Sequence, residues 1–358
     1  MIDSADWSPV AATGRHSVFR LPRYWYAACF AHELGRGPLA RTVHGVPIVL
    51  FRDARGQPVA AFDRCPHRNA PLSAGRCRGG TIECSYHGWR FDGAGRCVAV
   101  PGWRSPDPDA PSRRLEVVPA READGIVWVV PDLEVPVVPD PPSIPHADEP
   151  GYTTVRHRDV VAGTVFAAVE NALDVPHTSF LHRGLFRGGR ERVPVGAEIR
   201  HGDDRVEAEY VGEPVPVGLA ARLLAPEGGV VEHVDRFVMP SLSQVEYRLG
   251  ANHLVITTAF TPVQPALTAL HATVTVRSRV PGRLLALVVG PIARRILAQD
   301  ARMLERQHET IRAFRGERFA NSPIDVLGPH ILRMLRRAAR GEPARAPDAT
   351  NERVTIYT

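Results

Sequence analysis

The stretch from Cys65 to Trp89, CPHRNAPLSAGRCRGGTIECSYHGW, contains two Cys–His pairs, Cys65/His67 and Cys84/His87, with sixteen residues between them. Thiolate and imidazole are ligands that soft and borderline metals select. Three chemistries would use such a set: a zinc site, a disulfide with bystander histidines, or an iron–sulfur cluster. Structural zinc sites usually space their first pair by two to four residues. Here the pairs are Cys-x-His and Cys-x-x-His, so each loop offers one thiol and one imidazole. Thiols on one iron and imidazoles on the other would make a [2Fe–2S] centre in which two His replace two Cys.

A second group lies in ENALDVPHTSFLH, which places Asn171, Asp174, His177 and His182 within one short segment. On a straight helix, residues five apart lie roughly 140° apart, a poor geometry for chelation. Pro176 suggests a break or wide turn that brings the two rings together. An oxygen-activating iron needs a carboxylate beside two His. Among Asp300, Glu305 and Glu309, helical phase selects Asp300, which shares a face with Ile296, Leu297, Met303, Leu304, Gln307 and Ile311. Glu305 and Glu309 fall among Arg294, Arg295, Arg302 and Arg306 on the opposite side. A carboxylate on an apolar face is costly without a partner, and a metal would supply one.

Short strands and turns carry the first group. VHGVPIVLFRDARGQPVAAF reads as strand, turn and strand with Arg55-Gly56 at the turn, and GIVWVV reads as a closing strand. A Pro-dense linker follows at 134–151. Beyond it, TTVRHRDVV reads as a strand and GTVFAAVENALDVPHTSFLH is helical in spacing. Alternating runs such as RVEAEYVG, QVEYRLG and HLVITTAFTP then suggest an antiparallel sheet with one wet face. A long helix, expected to kink at Gly290-Pro291, runs from about Arg283 to Phe314, and a short basic helix comes near the end. The expected division is an N-terminal extension (1–22), an all-β domain (23–133), the linker, an α+β domain (152–345) and a C-terminal tail (346–358).

Composition narrows the class. The chain has 358 residues and a net charge of +5, and all 44 of its basic residues are Arg. No stretch combines clustered Arg with stacking aromatics or a recognition helix, which argues against nucleic acid. Five cysteines are too sparse for a secreted disulfide framework. With no secretory pattern at the N-terminus and no apolar run long enough to span a bilayer, a cytoplasmic protein is expected.

CPHRNAPL and CSYHGWRFD together resemble the cluster motif of Rieske-type ring-hydroxylating and related non-heme iron oxygenases. Cys65, His67, Cys84 and His87 match its ligand positions. Respiratory Rieske proteins carry a further disulfide, whose places here are Ala70 and Tyr86; Cys77 and Cys97 read as ordinary thiols. Asn171–His182 matches the family's Asn-x-x-Asp-x-x-His-x₄-His motif, and QDARMLERQ resembles the segment bearing the third iron ligand, Asp300. The common form has Glu where this chain has Gln299. The resemblance runs from about Arg23 to Gly316.

It implies a small all-β domain followed by a helix-grip catalytic domain, with a [2Fe–2S] cluster and a mononuclear Fe(II). It also implies NAD(P)H, a reductase and usually a ferredoxin upstream, O₂ as co-substrate and a homotrimer. Asp174 would join a cluster histidine to an iron-ligand histidine, and Asn171 would lie beside the ligands. Phe166, Phe237, Met239, Tyr247 and Phe260 are expected to line an apolar pocket. That lining favours a sterol-, terpenoid- or polycyclic-like substrate, and the short single chain, beside the β-subunit partner of larger dioxygenases, favours a monooxygenase acting by hydroxylation, demethylation or desaturation. The alternatives are an aromatic-compound oxygenase or O/N-demethylase, and a lipid-binding or electron-transfer protein without oxygenase activity. Arg64, Arg68, Arg76, Arg78, Arg90 and Arg96 could form a positive rim for an acidic redox partner.

Overall fold

The computed structural model describes residues 17–104, 107, 109–135, 139–182, 193–214, 231–280, 282–343 and 352–357. The chain is α+β and divides into two units, Pro22–Ser143 and, separately, the residues up to Leu21 together with those from Ile144 onward.

The first unit contains only strands and 3₁₀ turns among its described residues. Its strands are β1 (Tyr26–Phe30), β2 (Leu39–Val43), β3 (Val46–Arg52), β4 (Pro58–Phe62), β5 (Arg76–Arg78), β6 (Thr81–Glu83), β7 (Arg90–Phe91), β8 (Cys97–Ala99), β9 (Val117–Val118), β10 (Ala120–Ala123) and β11 (Ile126–Val129). They form three antiparallel sheets, ordered β1-β11-β10, β2-β3-β4-β9 and β5-β6-β7-β8. The run VPIVLFR of β3 is apolar on both faces because it separates two cores. Ile48 and Leu50 pack with Val43, Val127 and Val129. Val49 and Phe51 pack with Leu72, Ile82 and Phe91. Cys65 and Cys84 are rooted in that second core. Between β3 and β4 the turn falls at Gly56, whose φ of +78° suits a glycine. The Pro-rich segment is fastened to this unit: Trp25 Nε1 donates to the Pro139 carbonyl at 2.6 Å, and Arg121 pairs with Asp140.

The second unit is built on one eight-stranded antiparallel sheet. Its strands are β12 (Thr153–Ala162), β13 (Pro194–His201), β14 (Arg205–Val211), β15 (Val231–Val238), β16 (Leu242–Leu249), β17 (Asn252–Gln264), β18 (Leu267–Arg277) and β19 (Glu352–Tyr357). The order across the sheet is β12-β18-β17-β16-β15-β14-β13-β19. Among the described residues four helices accompany it: α1 (Val165–Leu173), α2 (Thr178–Leu181), α3 (Gly282–Ala313) and α4 (Gly328–Ala339). On one face Leu254, Val274 and Val276 pack with Val155, Tyr247, Ile256 and Val289 of α3. Helix α1 lies over β15 to β18 and against α4, while α3 runs along β12. Helix α3 continues as one helix through Pro291. No helix among the described residues is long and apolar enough to cross a membrane.

Two termini do more than the sequence suggested. Within the expected C-terminal tail, Glu352–Tyr357 forms β19 and pairs with β13, burying Ile356. At the other end, Ser17 donates its backbone N–H and its hydroxyl to Glu317, and its hydroxyl also pairs with Thr164 at 2.9 Å. The expected extension is thus tied at Ser17 to the start of α1.

Candidate metal centres

In the first unit, two loops repeat one backbone device. The Cys65 N–H donates to the Ala70 carbonyl, and the Cys65 carbonyl accepts from Asn69, whose φ is +60°. The Cys84 N–H donates to the Trp89 carbonyl, and the Cys84 carbonyl accepts from Gly88, with φ +69°. Each loop therefore turns back through a left-handed residue four places after its cysteine. Only Asn, Asp and Gly adopt that conformation readily. The result brings like groups together. Cys65 and Cys84 are buried free thiols close enough to share a hydrogen bond. The His67 and His87 rings lie 4.6 Å apart, and His67 stacks on Trp89 at 4.5 Å.

The set fits a [2Fe–2S] group with thiolates on one iron and imidazoles on the other. Two observations support the fit. His67 Nδ1 is buried without a hydrogen-bond partner. Burial, with the Cys84 thiol beside it, pushes Cys65 up to about 11, so a cation is needed to hold it as thiolate. All five cysteines are free; Cys97 is buried and Cys77 half-buried. Tyr86 and His87 face solvent.

The rim arginines divide into two groups. Arg64 pairs with Glu116 at 2.7 Å, Arg76 with Glu83 at 2.5 Å and Arg96 with Asp92 at 2.8 Å. Arg68 and Arg78 are exposed and Arg90 is half-buried.

In the second unit, Thr164 caps α1 by accepting from the Ala167 N–H at 3.1 Å. The helix stops at Leu173, before Pro176, as the break requires. Val175 and Pro176 make a turn, and the single-turn α2 separates His177 from His182. The two rings face each other with Nε2 atoms 3.2 Å apart. Asp300 Oδ1 of α3 approaches His182 Nε2 at 3.0 Å and His177 Nε2 at 3.6 Å. Helical phase behaves as expected at Asp300: Leu304, one turn on, is buried, whereas Arg302, Glu305, Arg306 and Glu309 are exposed. Gln307, expected on the apolar side, is exposed, while Ile311, one turn further on, is half-buried.

Proton positions give the test of fit. His177 Nδ1 donates to the Asp174 carbonyl and His182 Nδ1 to Gln299 Oε1 at 2.9 Å. Both Nε2 atoms are then lone-pair acceptors. They converge on Asp300 Oδ1, itself buried without a hydrogen-bond donor. Three acceptors around one point repel unless a cation lies between them. Ligands at right angles and about 2.1 Å from a divalent ion stand about 3 Å apart, close to the separations here. When no ion is bound a proton can take its place: burial alone would raise Asp300, but imidazoles protonated at Nε2 outweigh it through hydrogen bonds and charge and hold the carboxyl low. Burial would lower His177, but Asp300 and Asp174 draw it up. The pocket attracts positive charge, and His177, His182 and Asp300 are the described trio placed to ligate it.

Asp174 departs from the expected geometry. Its carboxylate stands 3.7 Å from His177 Nδ1, and its backbone carbonyl takes that hydrogen bond instead. As the residue ending α1, Asp174 has a carbonyl released from helical pairing and free to turn toward the ring. Its carboxylate remains uncommitted to His177. Asn171 is half-buried on the last turn of α1. Glu170, four residues before Asp174, is pushed up to about 7 by burial and by the Asp174 and Asp325 carboxylates.

The expected apolar lining is mixed. Phe237, Phe260 and Phe166 are buried, with Phe166 edge-on to Phe319. Tyr247 instead stacks on His233 at 4.1 Å, and Tyr210 stacks on the opposite side at 4.6 Å. His233 bridges two buried carboxylates, Glu213 Oε2 at 2.6 Å and Asp235 Oδ1 at 2.9 Å. The alternation of VEHVDRFV contains the signal: His233, Asp235 and Phe237 share the buried face. Burial, and after it the Asp325 and Asp235 carboxylates, raise Asp174 against the pull of His177.

Comparison with known proteins places this geometry. Residues 24–119 match the Rieske [2Fe-2S] domain, and residues 165–341 match the vanillate O-demethylase oxygenase C-terminal domain. The oxygenase component of dicamba O-demethylase from Stenotrophomonas maltophilia is 36% identical over 162 residues, covering 44% of this chain and 47% of that protein. The vanillate O-demethylase oxygenase subunit of Pseudomonas sp. (strain HR199 / DSM 7063) is 32% identical over 194 residues, 52% of each chain. The chain thus matches about half the length of these relatives. A crystal structure of dicamba monooxygenase bound to dicamba superposes with a TM-score of 0.77 at 25% identity, covering 90% of this chain and 98% of that one. Two domain matches in the same order, over about three quarters of the chain, and a shared fold at nearly full length lead to one assignment: the chain belongs to the Rieske-type non-heme iron oxygenase family.

Proposed function

We propose that this protein is a Rieske monooxygenase that removes an O- or N-linked alkyl group from a small aromatic molecule. The observation that carries the reading is the convergence of His177 Nε2, His182 Nε2 and Asp300 Oδ1, with each Nδ1 turned to a carbonyl oxygen. Cys65, Cys84, His67 and His87 would hold the cluster, and the trio would hold the mononuclear iron. When bound, the cluster supplies electrons one at a time and the iron binds and activates O₂. Ferredoxin and reductase, drawing on NAD(P)H, are the proposed electron source, and a homotrimer the proposed assembly.

The chain's own residues position the chemistry. Asp174 and Gln299 hold both imidazoles in the tautomer that turns Nε2 toward the ion. In the proposed trimer the Asp174 carboxylate, not engaged by His177, accepts from a cluster histidine of a neighbouring subunit. The two Tyr rings and the His233 network give the sheet face both aromatic stacking surface and buried charge.

Relatives named as O-demethylases of dicamba and vanillate, and as a chloroacetanilide N-alkylformylase, favour dealkylation. The buried ions beside Tyr247 suit a polar aromatic better than a wholly apolar sterol or terpenoid. The proposed balance for a methyl ether is substrate, O₂, two electrons and two protons going to phenol, formaldehyde and water. The test is NADH- and O₂-dependent turnover of a panel of aryl methyl ethers and N-methyl heteroaromatics, with surrogate ferredoxin and reductase. Formaldehyde equal to substrate consumed supports the reading. Hydroxylated product with the alkyl group retained would replace it with ring hydroxylation.

A further inference from the structure

Helix α3 brings two side chains to His182, not one. Asp300 approaches Nε2 at 3.0 Å, and the residue before it, Gln299, places Oε1 2.9 Å from Nδ1. His182 is buried, with its side chain 2% exposed, so water does not compete for these atoms. An amide oxygen only accepts a hydrogen bond. With Nδ1 protonated toward Gln299, Nε2 keeps its lone pair toward Asp300 and His177. The opposite tautomer would aim an Nε2–H at Asp300, closing the site to a cation. Successive residues on a helix lie 100° apart, so α3 grips His182 from two directions with adjacent side chains. His177 is held differently, by the Asp174 backbone carbonyl, which no side-chain substitution removes.

We infer that Gln299 is a positioning residue that sets the tautomer and ring orientation of His182, and that the metal affinity of the trio depends on it. A residue in this place contributes typically 10–100-fold to metal affinity. The inference rests on reading the trio as the mononuclear iron site.

The experiment uses the full chain with its cluster intact and the mononuclear site emptied by a mild chelator. Cobalt(II) is titrated by equilibrium dialysis. Gln299→Leu, which removes the acceptor at similar size, is expected to weaken cobalt binding roughly 10–100-fold. Gln299→Glu, which restores an acceptor, is expected to bind at least as tightly as the natural chain. Rieske absorption and melting temperature should be the same in all three proteins, a pattern that a merely structural role for Gln299 would not give. If Gln299→Leu does not fold, Gln299→Asn withdraws the acceptor by one methylene and reads the same loss. Equal affinity in the natural chain and the Leu or Asn variant overturns the inference while leaving the iron-site reading intact. Absence of cobalt binding by the natural chain, with Rieske absorption present, would overturn both.

Discussion

Replacing His233 with leucine removes the side chain that bridges two buried carboxylates, Glu213 and Asp235. Burial alone would depress His233, but Asp235 and Glu213 outweigh it and lift its pKa to about 9, from an ordinary 6.5. That gap corresponds to about 3 kcal/mol of stability. Because the folded value is the higher one, this contribution is fully present below about pH 6.5 and disappears as pH rises through about 9. At neutral pH the substitution should cost about 3–5 kcal/mol, the usual consequence of leaving one side of a buried ion pair alone. For a unit of this size that lowers the melting temperature by roughly 10 °C. Scanning calorimetry of both proteins from pH 6 to 10 reads the difference. It should be largest at pH 6, begin to fall above about pH 6.5 and shrink towards pH 10. A difference independent of pH, or one that grows with pH, would refute the placement of an imidazolium between the carboxylates.

Asp174→Ala should keep both metal groups, since the backbone carbonyl still orients His177, yet lower turnover roughly 10–100-fold; metal analysis beside a rate measurement checks it, and loss of iron would contradict it. Arg68 and Arg90, outside the ion pairs that engage Arg64, Arg76 and Arg96, should carry more of any docking charge. Neutralising both is expected to slow reduction by a ferredoxin and flatten its salt dependence while leaving reduction by dithionite unchanged. Equal slowing under both reductants would point to damage at the cluster.

What the sequence revealed and what it concealed follow from the range of the interactions involved. The Cys–His loops and the Asn171–His182 segment are local, so spacing alone exposed them. Pro176 announced the break between α1 and α2, and the amphipathic phase of α3 singled out Asp300 because burial repeats along a helix. Strand β14 alternates plainly, whereas β17, expected to alternate as well, is buried along most of its length. Strand β19 was missed because ERVTIY is short and terminal and buries only Ile356. The His233 network was hidden because polar residues at inward positions of β15 look like the wet face of the sheet until register sets them beside Tyr210 and Tyr247. The hydrogen bond from His182 to Gln299 joins residues 117 apart in the chain. No spacing rule reaches that far, although the Gln at this position was itself visible as a departure from the family's usual Glu.

The central claim is that one chain holds a Rieske cluster on Cys65, His67, Cys84 and His87, and a separate iron on His177, His182 and Asp300. Iron and acid-labile sulfide analysis of the purified protein and of Asp300→Ala tests it most directly. The natural chain should show an iron-to-sulfide ratio of about 3:2 with Rieske absorption. Asp300→Ala should fall to about 1:1 with that absorption unchanged, and Glu305→Ala should match the natural chain. Zinc without labile sulfide, or an Asp300→Ala protein that keeps its third iron while Glu305→Ala loses it, would contradict the account.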